Sequence, residues 1–305
     1  MSSTQGFNYF DFSKLILGAA QFGNNYGVSN LIGETHEAEV KKIIAIAEKN
    51  NIKLVDTSSA YGSSEEKIGN TNSVQISAIT KMPYLPADIN EYQIEDWVYS
   101  NVDLSSKRLQ TKKLHTILIH KASDLQSKYG KIMYKCLLDL KKENKLGNIG
   151  YSVYNTEEID QIYIDCKPDV VQIPMNILDN RFNSSGWTEK MKKDGVQIHA
   201  RSVFLQGLLL MNASQRPKYF NKWKKFWKSW DEYIKESKLS PLSICLKYML
   251  RQIKEKNVSH FIVGVNQSNH LEKIIKEINS IEDLDIDSFE LNDTNLINPN
   301  LWKIK

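Results

Sequence analysis

The chain has 305 residues, of which 41% are hydrophobic and 25% are charged, with a formal net charge of +4. These proportions are typical of a soluble globular protein and exclude a largely disordered chain. The acidic and basic residues are mixed along the chain, so no strong field argues for a nucleic-acid partner. No apolar run approaches the roughly 18 to 20 residues that a bilayer-crossing helix needs. We therefore expect neither nucleic acid nor membrane as a partner.

The N-terminal stretch and the cysteines predict the compartment. Residues 1–14 lack the basic-then-apolar layout of a secretory signal. The three cysteines, Cys136, Cys166 and Cys245, are odd in number and far apart, without the paired spacing of zinc sites or disulfides. Each is interpreted as a small buried hydrophobe. We predict a cytoplasmic protein without a bound metal.

Short apolar stretches alternate with helical patterns along the chain. The predicted strands are residues 15–18, 52–56, 75–81, 114–120, 147–152, 168–173, 196–202 and 260–264. The first two predicted helices begin after Thr35 and after Ser63, and both residues are expected as N-caps. The later ones are predicted over residues 91–108, 131–144, 156–164, a short segment near 188, 220–256 and 268–278. The long region 220–256 is expected to be divided at Ser240–Pro241.

This strict alternation predicts a parallel sheet with helices outside it. Eight units at this length favour closure into a (β/α)8 TIM barrel, with residues 1–305 forming a single domain. The alternative is an open, doubly wound sheet. No GxGxxG motif follows the first strand, which weakens the dinucleotide-binding version of that alternative.

Ionisable residues stand at the ends of three successive strands. Asp56, Lys81 and His120 end strands two to four, and Tyr61 follows on the loop after strand two. Taken singly, each has a structural interpretation, such as a satisfied core histidine or a solvated strand end. The carboxyl ends of barrel strands all face one mouth, so four such residues in consecutive units favour a shared active site.

An ordered set of short motifs resembles the aldo-keto reductase family over almost the whole chain. The set is LILG, VDTSSAYG, ITK, LIH, GNIGYS, VVQIPMN, FLQGLL and FIVG. The resemblance implies reduction of an aldehyde or ketone by NAD(P)H through a catalytic tetrad of Asp56, Tyr61, Lys81 and His120. Tyr61 would donate the proton, His120 would orient the carbonyl, and Asp56 would hold Lys81. We expect the Lys81 ammonium to lower the pKa of Tyr61.

The resemblance also implies a set of cofactor-binding residues. These are Gly18, Ser152, Gln172, Arg201, Ser202, Phe204, Gln206, Gly207, Gly264, Asn266, His270 and Lys273. The chain departs from the family pattern in two places: Val153 replaces an asparagine, and Arg201 replaces an aromatic residue that stacks on the nicotinamide. Arginine can also stack on a ring. Lys273 could contact a 2′-phosphate, so NADP(H) is predicted as the preferred cofactor and NAD(H) as a possible one.

The predicted mouth loops are polar. Gln21, Asn25, Tyr26, Tyr84 and Asn176 are the expected substrate contacts. Their amides and hydroxyls suit a polar substrate, and the first loop resembles reductases of carbohydrate biosynthesis, so we predict a sugar or a sugar-derived carbonyl. In the alternative interpretation, the asparagines simply form turns. A competing functional class is a regulatory subunit that binds cofactor with little turnover. The sequence does not decide the oligomeric state.

The segment 216–230 interleaves basic and aromatic residues, as a helix bound to nucleic acid or a membrane surface would. Its aromatic residues recur every three or four positions, which favours a stripe facing the core with lysines on the solvent side.

Overall fold

The strands close into a parallel barrel in the order β1 to β8, and β1 pairs with β8. This computed structural model describes residues 10–304; residues 1–9, part of the stretch predicted to lack a secretory signal, lie outside that range. The strands are β1 Leu15–Gly18, β2 Leu54–Asp56, β3 Ser77–Met82, β4 Leu114–Ile119, β5 Leu146–Ser152, β6 Val170–Pro174, β7 Gln197–Arg201 and β8 His260–Gly264. The predicted (β/α)8 barrel is confirmed, and the open-sheet alternative is wrong.

The helices lie between the strands, outside the barrel. They are α1 Ala20–Gly23, α2 Glu37–Lys49, α3 Ser64–Gly69, α4 Glu91–Arg108, α5 Gly130–Lys142, α6 Thr156–Ile162, α7 Arg181–Ser184, α8 Trp187–Lys193, α9 Lys224–Ser237, α10 Pro241–Lys254, α11 Ser268–Ser280 and α12 Thr294–Ile297. Short 3-10 segments cover Phe12–Lys14, Ala122–Gln126, Leu205–Leu210, Lys218–Trp223 and Pro299–Leu301, and the third is kinked at Gln206 and Gly207. Ser240 caps α10 by accepting from the Ser243 amide, and Pro241 follows at the first helical position, as the predicted break requires.

Six apolar side chains fill the barrel interior below the mouth: Ile16, Leu54, Ile79, Leu118, Val170 and Ile262. Side chains along a strand alternate between its two faces, so the residue two positions further on also faces inward, one layer higher. Those residues are Gly18, Asp56, Lys81, His120, Gln172 and Gly264. The period of two therefore places six predicted site residues in one ring at the carboxyl ends of the strands.

Of the two predicted helix caps, Thr35 is wrong, and Ser63 stands at the N-cap position of α3 without making a capping hydrogen bond. The hydroxyl of Thr35 donates to the Asn266 carbonyl at 3.2 Å, and α2 begins one residue later, after His36. The hydroxyl of Ser63 donates to Glu34 at 2.9 Å instead of capping α3. Both side chains connect neighbouring loops at the mouth, and such long-range partners are not visible in local sequence patterns.

The aromatic residues of segment 216–230 face the core. Trp227 and Trp230 are buried, and Trp223, Phe226 and Tyr233 are partly buried against the same core. The prediction of a core-facing stripe is confirmed. No helix within residues 10–304 is long and apolar enough to cross a membrane. All three cysteines are buried and unpaired, as predicted.

Candidate active site

Lys81 is the most constrained side chain at the barrel mouth. It is almost fully buried, and its ammonium lies 2.8 Å from both carboxylate oxygens of Asp56 and 2.7 Å from the Thr57 carbonyl oxygen. An ammonium has three hydrogens, so these three acceptors use all of them. Asp56 also accepts a 2.7 Å hydrogen bond from the Gln172 amide. The result is a buried ion pair in which all three ammonium hydrogens are bonded and the carboxylate accepts three hydrogen bonds, which offsets the cost of burying two charges.

Tyr61 is held beside this pair by a close approach of two loops. A Cβ at Gly23 would lie 1.8 Å from the Tyr61 carbonyl oxygen, and one at Gly62 would lie 2.2 Å from the Gly23 carbonyl oxygen. Gly62 also has a φ of 51°, a left-handed conformation that favours glycine. The Lys81 ammonium lies 5.1 Å from the Tyr61 ring centroid. The two glycines therefore let the first loop press the Tyr61 loop against the ion pair.

The expected effect of Lys81 on Tyr61 is wrong in this state. Burial raises the pKa of the Tyr61 hydroxyl, and the Asp56 carboxylate raises it further. The physical reason is that burial of the phenol outweighs the neighbouring charges, and that the Asp56 carboxylate, which is paired with Lys81, acts on the phenol with the opposite sign. Tyr61 is therefore a protonated phenol throughout the neutral pH range.

His120 is the fourth residue of the predicted tetrad and lies next to Tyr61. Its ring lies 5.8 Å from the Tyr61 ring, centroid to centroid, in an edge-on arrangement, and its Nδ1 is 3.2 Å from the Ser58 hydroxyl. Burial, and then the charges of Lys81 and Arg201, lower the pKa of His120 to about 3. The imidazole is therefore neutral near pH 7 and can serve as a hydrogen-bond donor without carrying charge.

A cavity of about 620 Å³ runs from these four residues to α11. Asp56, Tyr61, Lys81 and His120 line one end, and His270 and Lys273 line the other. Every predicted cofactor residue lines it: Gly18, Ser152, Gln172, Arg201, Ser202, Phe204, Gln206, Gly207, Gly264, Asn266, His270 and Lys273. The structure thus brings together two sets of residues that lie far apart in the chain.

The cavity wall fits a nicotinamide dinucleotide. The buried Gln21 Oε1 and Asn266 Nδ2 have no hydrogen-bond partner within residues 10–304, and both residues line the cavity. Buried amides without partners are uncommon in native proteins and indicate a ligand that satisfies them. The basic end at Lys273 suits phosphate, while the neutral end at the tetrad suits a carboxamide-bearing ring.

Ser152 at the end of β5 and Arg201 at the end of β7, both predicted to bind the cofactor, are joined by a small hydrogen-bond network. Arg201 donates to the Ser152 hydroxyl at 3.3 Å, to the Val153 carbonyl at 2.9 Å and to the Ser202 hydroxyl at 3.2 Å. Its guanidinium carbon lies 4.0 Å from the centroid of the Tyr154 ring. The guanidinium is therefore fixed with one face against an aromatic ring of the protein itself.

The predicted substrate contacts divide into two groups. Gln21 and Tyr26 line the cavity, whereas Asn25, Tyr84 and Asn176 do not. Asn176 is fully buried: it donates to the Ser202 carbonyl at 3.0 Å and accepts from the amides of residues 178 and 179. It shapes the loop after β6, as the turn-forming interpretation holds. Tyr84 packs its ring 5.0 Å from His120, centroid to centroid.

Several cavity residues were missed from the sequence. Tyr154 lies two residues after the end of β5, so a search of the loops that follow the strands would have found it. Leu31 and Ile32 line the cavity from the first loop, although they are exposed. The Ser29 hydroxyl reaches the Gln206 carbonyl at 3.4 Å, which brings this loop across to the loop after β7. No local sequence pattern signals that crossing.

An eight-stranded parallel barrel with a buried ion pair, a tyrosine and a histidine at its carboxyl-end mouth defines a (β/α)8 barrel of the enzyme type. A sequence profile described as the Aldo/keto reductase family matches residues 14–294, and the chain belongs to this family. Members of the family are oxidoreductases that act on small carbonyl compounds with nicotinamide cofactors.

Solved structures agree on the fold. The glycerol dehydrogenase of Gluconobacter oxydans shares 18% sequence identity with a TM-score of 0.67, covering 87% of this chain and 86% of that one. The holo form of an aldo-keto reductase from Bacillus halodurans shares 16% with a TM-score of 0.67, covering 90% and 93%. At these identities the likeness shows the fold alone. A search of curated proteins finds no match.

Proposed function

We propose that this protein reduces an aldehyde or ketone with NAD(P)H, and that Tyr61 donates the proton. The observation that carries the proposal is the placement of Tyr61 and His120 beside the buried Lys81–Asp56 pair, at one end of a cavity that suits a dinucleotide. When bound, the reduced nicotinamide would supply a hydride to the carbonyl carbon. Ser152 and Gln172 would hold its amide, and Lys273 the phosphate end.

Tyr61 acts as a general acid in this proposal. Hydride addition leaves negative charge on the carbonyl oxygen, which needs a proton as the charge develops. A phenol whose pKa is raised stays protonated, and an alkoxide is a strong enough base to take its proton. The Lys81 ammonium lies 5.1 Å from the centroid of the Tyr61 ring, so it would offset part of the negative charge that develops on the phenolate, although burial keeps the pKa of the resting phenol raised.

His120 orients the substrate. If the Ser58 hydroxyl donates to Nδ1, the proton of the neutral imidazole remains on Nε2, which is then free to donate to the carbonyl oxygen. This donation polarises the carbonyl and fixes its distance from Tyr61.

The substrate is proposed to be a sugar or a sugar-derived carbonyl, as an enzyme of carbohydrate biosynthesis would use. Gln21 and Tyr26 supply amide and hydroxyl groups at the cavity wall, which supports a polar substrate. NADP(H) is the proposed cofactor because Lys273 and His270 stand together at the far end of the cavity.

A cytoplasmic location is also proposed, supported by three buried, unpaired cysteines.

The test is oxidation of NADPH by the purified protein with a panel of keto-sugars, aliphatic aldehydes and aromatic aldehydes, scored by kcat/KM. Tyr61→Phe should lower the rate by about 10² to 10⁴ while cofactor affinity stays within a few-fold. Tyr151→Phe is the matched control: its hydroxyl has no hydrogen-bond partner within residues 10–304 and it does not line the cavity, so the activity should be kept. A Tyr61→Phe variant that retains more than about a tenth of the activity overturns the role of Tyr61.

The same panel tests the substrate class and the competing function. Preference for aromatic aldehydes by about tenfold or more would contradict the sugar proposal and leave the reaction class standing. Tight cofactor binding without turnover of any substrate would favour the regulatory alternative. That alternative stays open because Arg201 replaces the aromatic residue that the family pattern has at the nicotinamide, and here it binds Ser152 and Val153.

A further inference from the structure

The guanidinium of Arg201 carries a charge that its surroundings do not balance. Its hydrogen-bond acceptors are the hydroxyls of Ser152 and Ser202 and the carbonyl of Val153, all neutral. Within residues 10–304, no carboxylate oxygen lies within 4.0 Å of it. The nearby Arg181, by contrast, is paired with Asp179 at 2.8 Å. Arg201 is thus a half-buried cation without a counter-ion in the described part of the chain.

The unbalanced charge stands at the reacting end of the cavity. The other charged residues that line this end, Lys81 and Asp56, form an ion pair at 2.8 Å, so each has a partner of opposite sign and Arg201 does not. The charge of Arg201 acts on two side chains of the proposed tetrad. It contributes, after burial and Lys81, to lowering the pKa of His120, and it opposes the rise in the pKa of Tyr61. The Tyr154 ring behind the guanidinium holds it in place.

We infer that Arg201 makes this site bind the reduced nicotinamide cofactor more tightly than the oxidised one. The inference rests on the proposed function, which requires the nicotinamide at the tetrad end, where a hydride can reach a carbonyl beside Tyr61. The nicotinamide ring is neutral when reduced and carries one positive charge when oxidised. A fixed cation at this end therefore repels only the oxidised form, and low local polarity strengthens the repulsion.

The consequence is a directional bias in cofactor exchange. A site that disfavours the oxidised cofactor releases it readily after turnover and reloads with the reduced form. Lys273, at the opposite end, faces a part of the cofactor that has the same charge in both redox states, so it cannot discriminate between them. An aromatic residue in place of Arg201 would not produce this bias, because a ring face attracts a cation.

The test is a comparison of dissociation constants for NADPH and NADP⁺ by isothermal titration calorimetry, with no substrate present. Arg201→Gln should tighten NADP⁺ relative to NADPH at least about fivefold, and Arg201→Met should do the same. Arg201→Lys keeps the charge and should keep the wild-type ratio. Lys273→Gln is the position control: it should weaken both forms by the same factor.

An unchanged ratio in Arg201→Gln and Arg201→Met overturns the inference, as does an equal loss of both forms, which would mean that Arg201 only holds the carboxamide. Thermal denaturation of each variant shows whether it is folded. If only one of the two neutral variants folds, its ratio of dissociation constants is compared with that of Arg201→Lys. These binding results are independent of turnover. A wild-type protein that binds the cofactor with the expected ratio but reduces nothing would contradict the proposed function and leave this inference standing.

Discussion

The side-chain amide of Gln172 donates a 2.7 Å hydrogen bond to Asp56 Oδ1, the same oxygen that accepts from Lys81 at 2.8 Å. Gln172 stands on β6 and Asp56 on β2, so this bond crosses the barrel interior. It joins the residues proposed to hold the cofactor to those proposed to perform proton transfer. Both side chains are buried, which makes the bond a charge-assisted one in a region of low polarity.

Gln172→Leu should destabilise the fold by about 1 to 3 kcal/mol, because a buried carboxylate loses a donor. Gln172→Glu should be worse, since it places a second carboxylate next to Asp56. Urea unfolding at about pH 7.5 measures both. A Glu variant as stable as the Leu variant would show that the bond to Asp56 does not bear on stability.

Lys81→Met should cost about 3 to 5 kcal/mol, because it leaves the Asp56 carboxylate buried without its partner. The double variant Lys81→Met with Asp56→Asn should recover much of that loss, since the remaining groups are neutral, but it should not recover carbonyl reduction. Chemical denaturation and NADPH oxidation are measured on the same preparations. Recovery of activity in the double variant would contradict the role of the ammonium beside Tyr61.

Lys273→Glu should weaken NADPH binding several-fold more than NADH binding, because the two cofactors differ by a phosphate that the lysine is proposed to contact. Lys276→Glu is a matched control: it lies one turn further along α11, is exposed and does not line the cavity. Fluorescence titration with both cofactors gives the ratio. Equal losses for NADPH and NADH in Lys273→Glu would place the phosphate elsewhere.

Stability should fall as the pH drops below about 6.5, because three histidines are kept uncharged by burial: His120 at the mouth, and the buried His199 and partly buried His260 at the amino-terminal side of the barrel. The rings of His199 and His260 lie 4.8 Å apart, and the nitrogens of His199 have no hydrogen-bond partner within residues 10–304. Burial, and then His260, lower the pKa of His199 far below its usual value; burial, followed by Lys14 and His115, lowers the pKa of His260 to about 4.

A depressed pKa means that the unfolded chain binds more protons than the folded one, so the free energy of unfolding is highest above about pH 6.5 and declines toward about pH 4. Urea unfolding at about pH 7.5, 6.0 and 5.0 measures the decline. His199→Leu should make the decline less steep, because His120 and His260 still contribute, while remaining close to the wild type in stability at the highest of these pH values. Parallel pH profiles for the two proteins would contradict this account.

Local sequence patterns are sufficient to predict the barrel, and they select residues that the structure brings to one cavity at its mouth. The alternation of apolar strands and helices predicts the (β/α)8 fold, and the period of two within each strand carries Asp56, Lys81 and His120 to one mouth. These inferences succeed because they depend on local periodicity and on a general property of parallel barrels. The ordered motifs then indicate a family and a cavity wall that the structure brings together.

The sharing of charges and hydrogen bonds, by contrast, depends on the tertiary structure. The sequence predicts that Lys81 lowers the pKa of Tyr61, yet burial of the phenol and the Asp56 carboxylate, which is paired with Lys81, raise it. Asn176 is expected at the substrate, yet its hydrogen bonds build a loop. Arg201 is interpreted as a replacement for an aromatic residue, yet it lies on Tyr154 with only neutral hydrogen-bond acceptors. Each outcome depends on partners distant in the chain, and hydrogen bonds and fields between such partners leave no local pattern in the sequence.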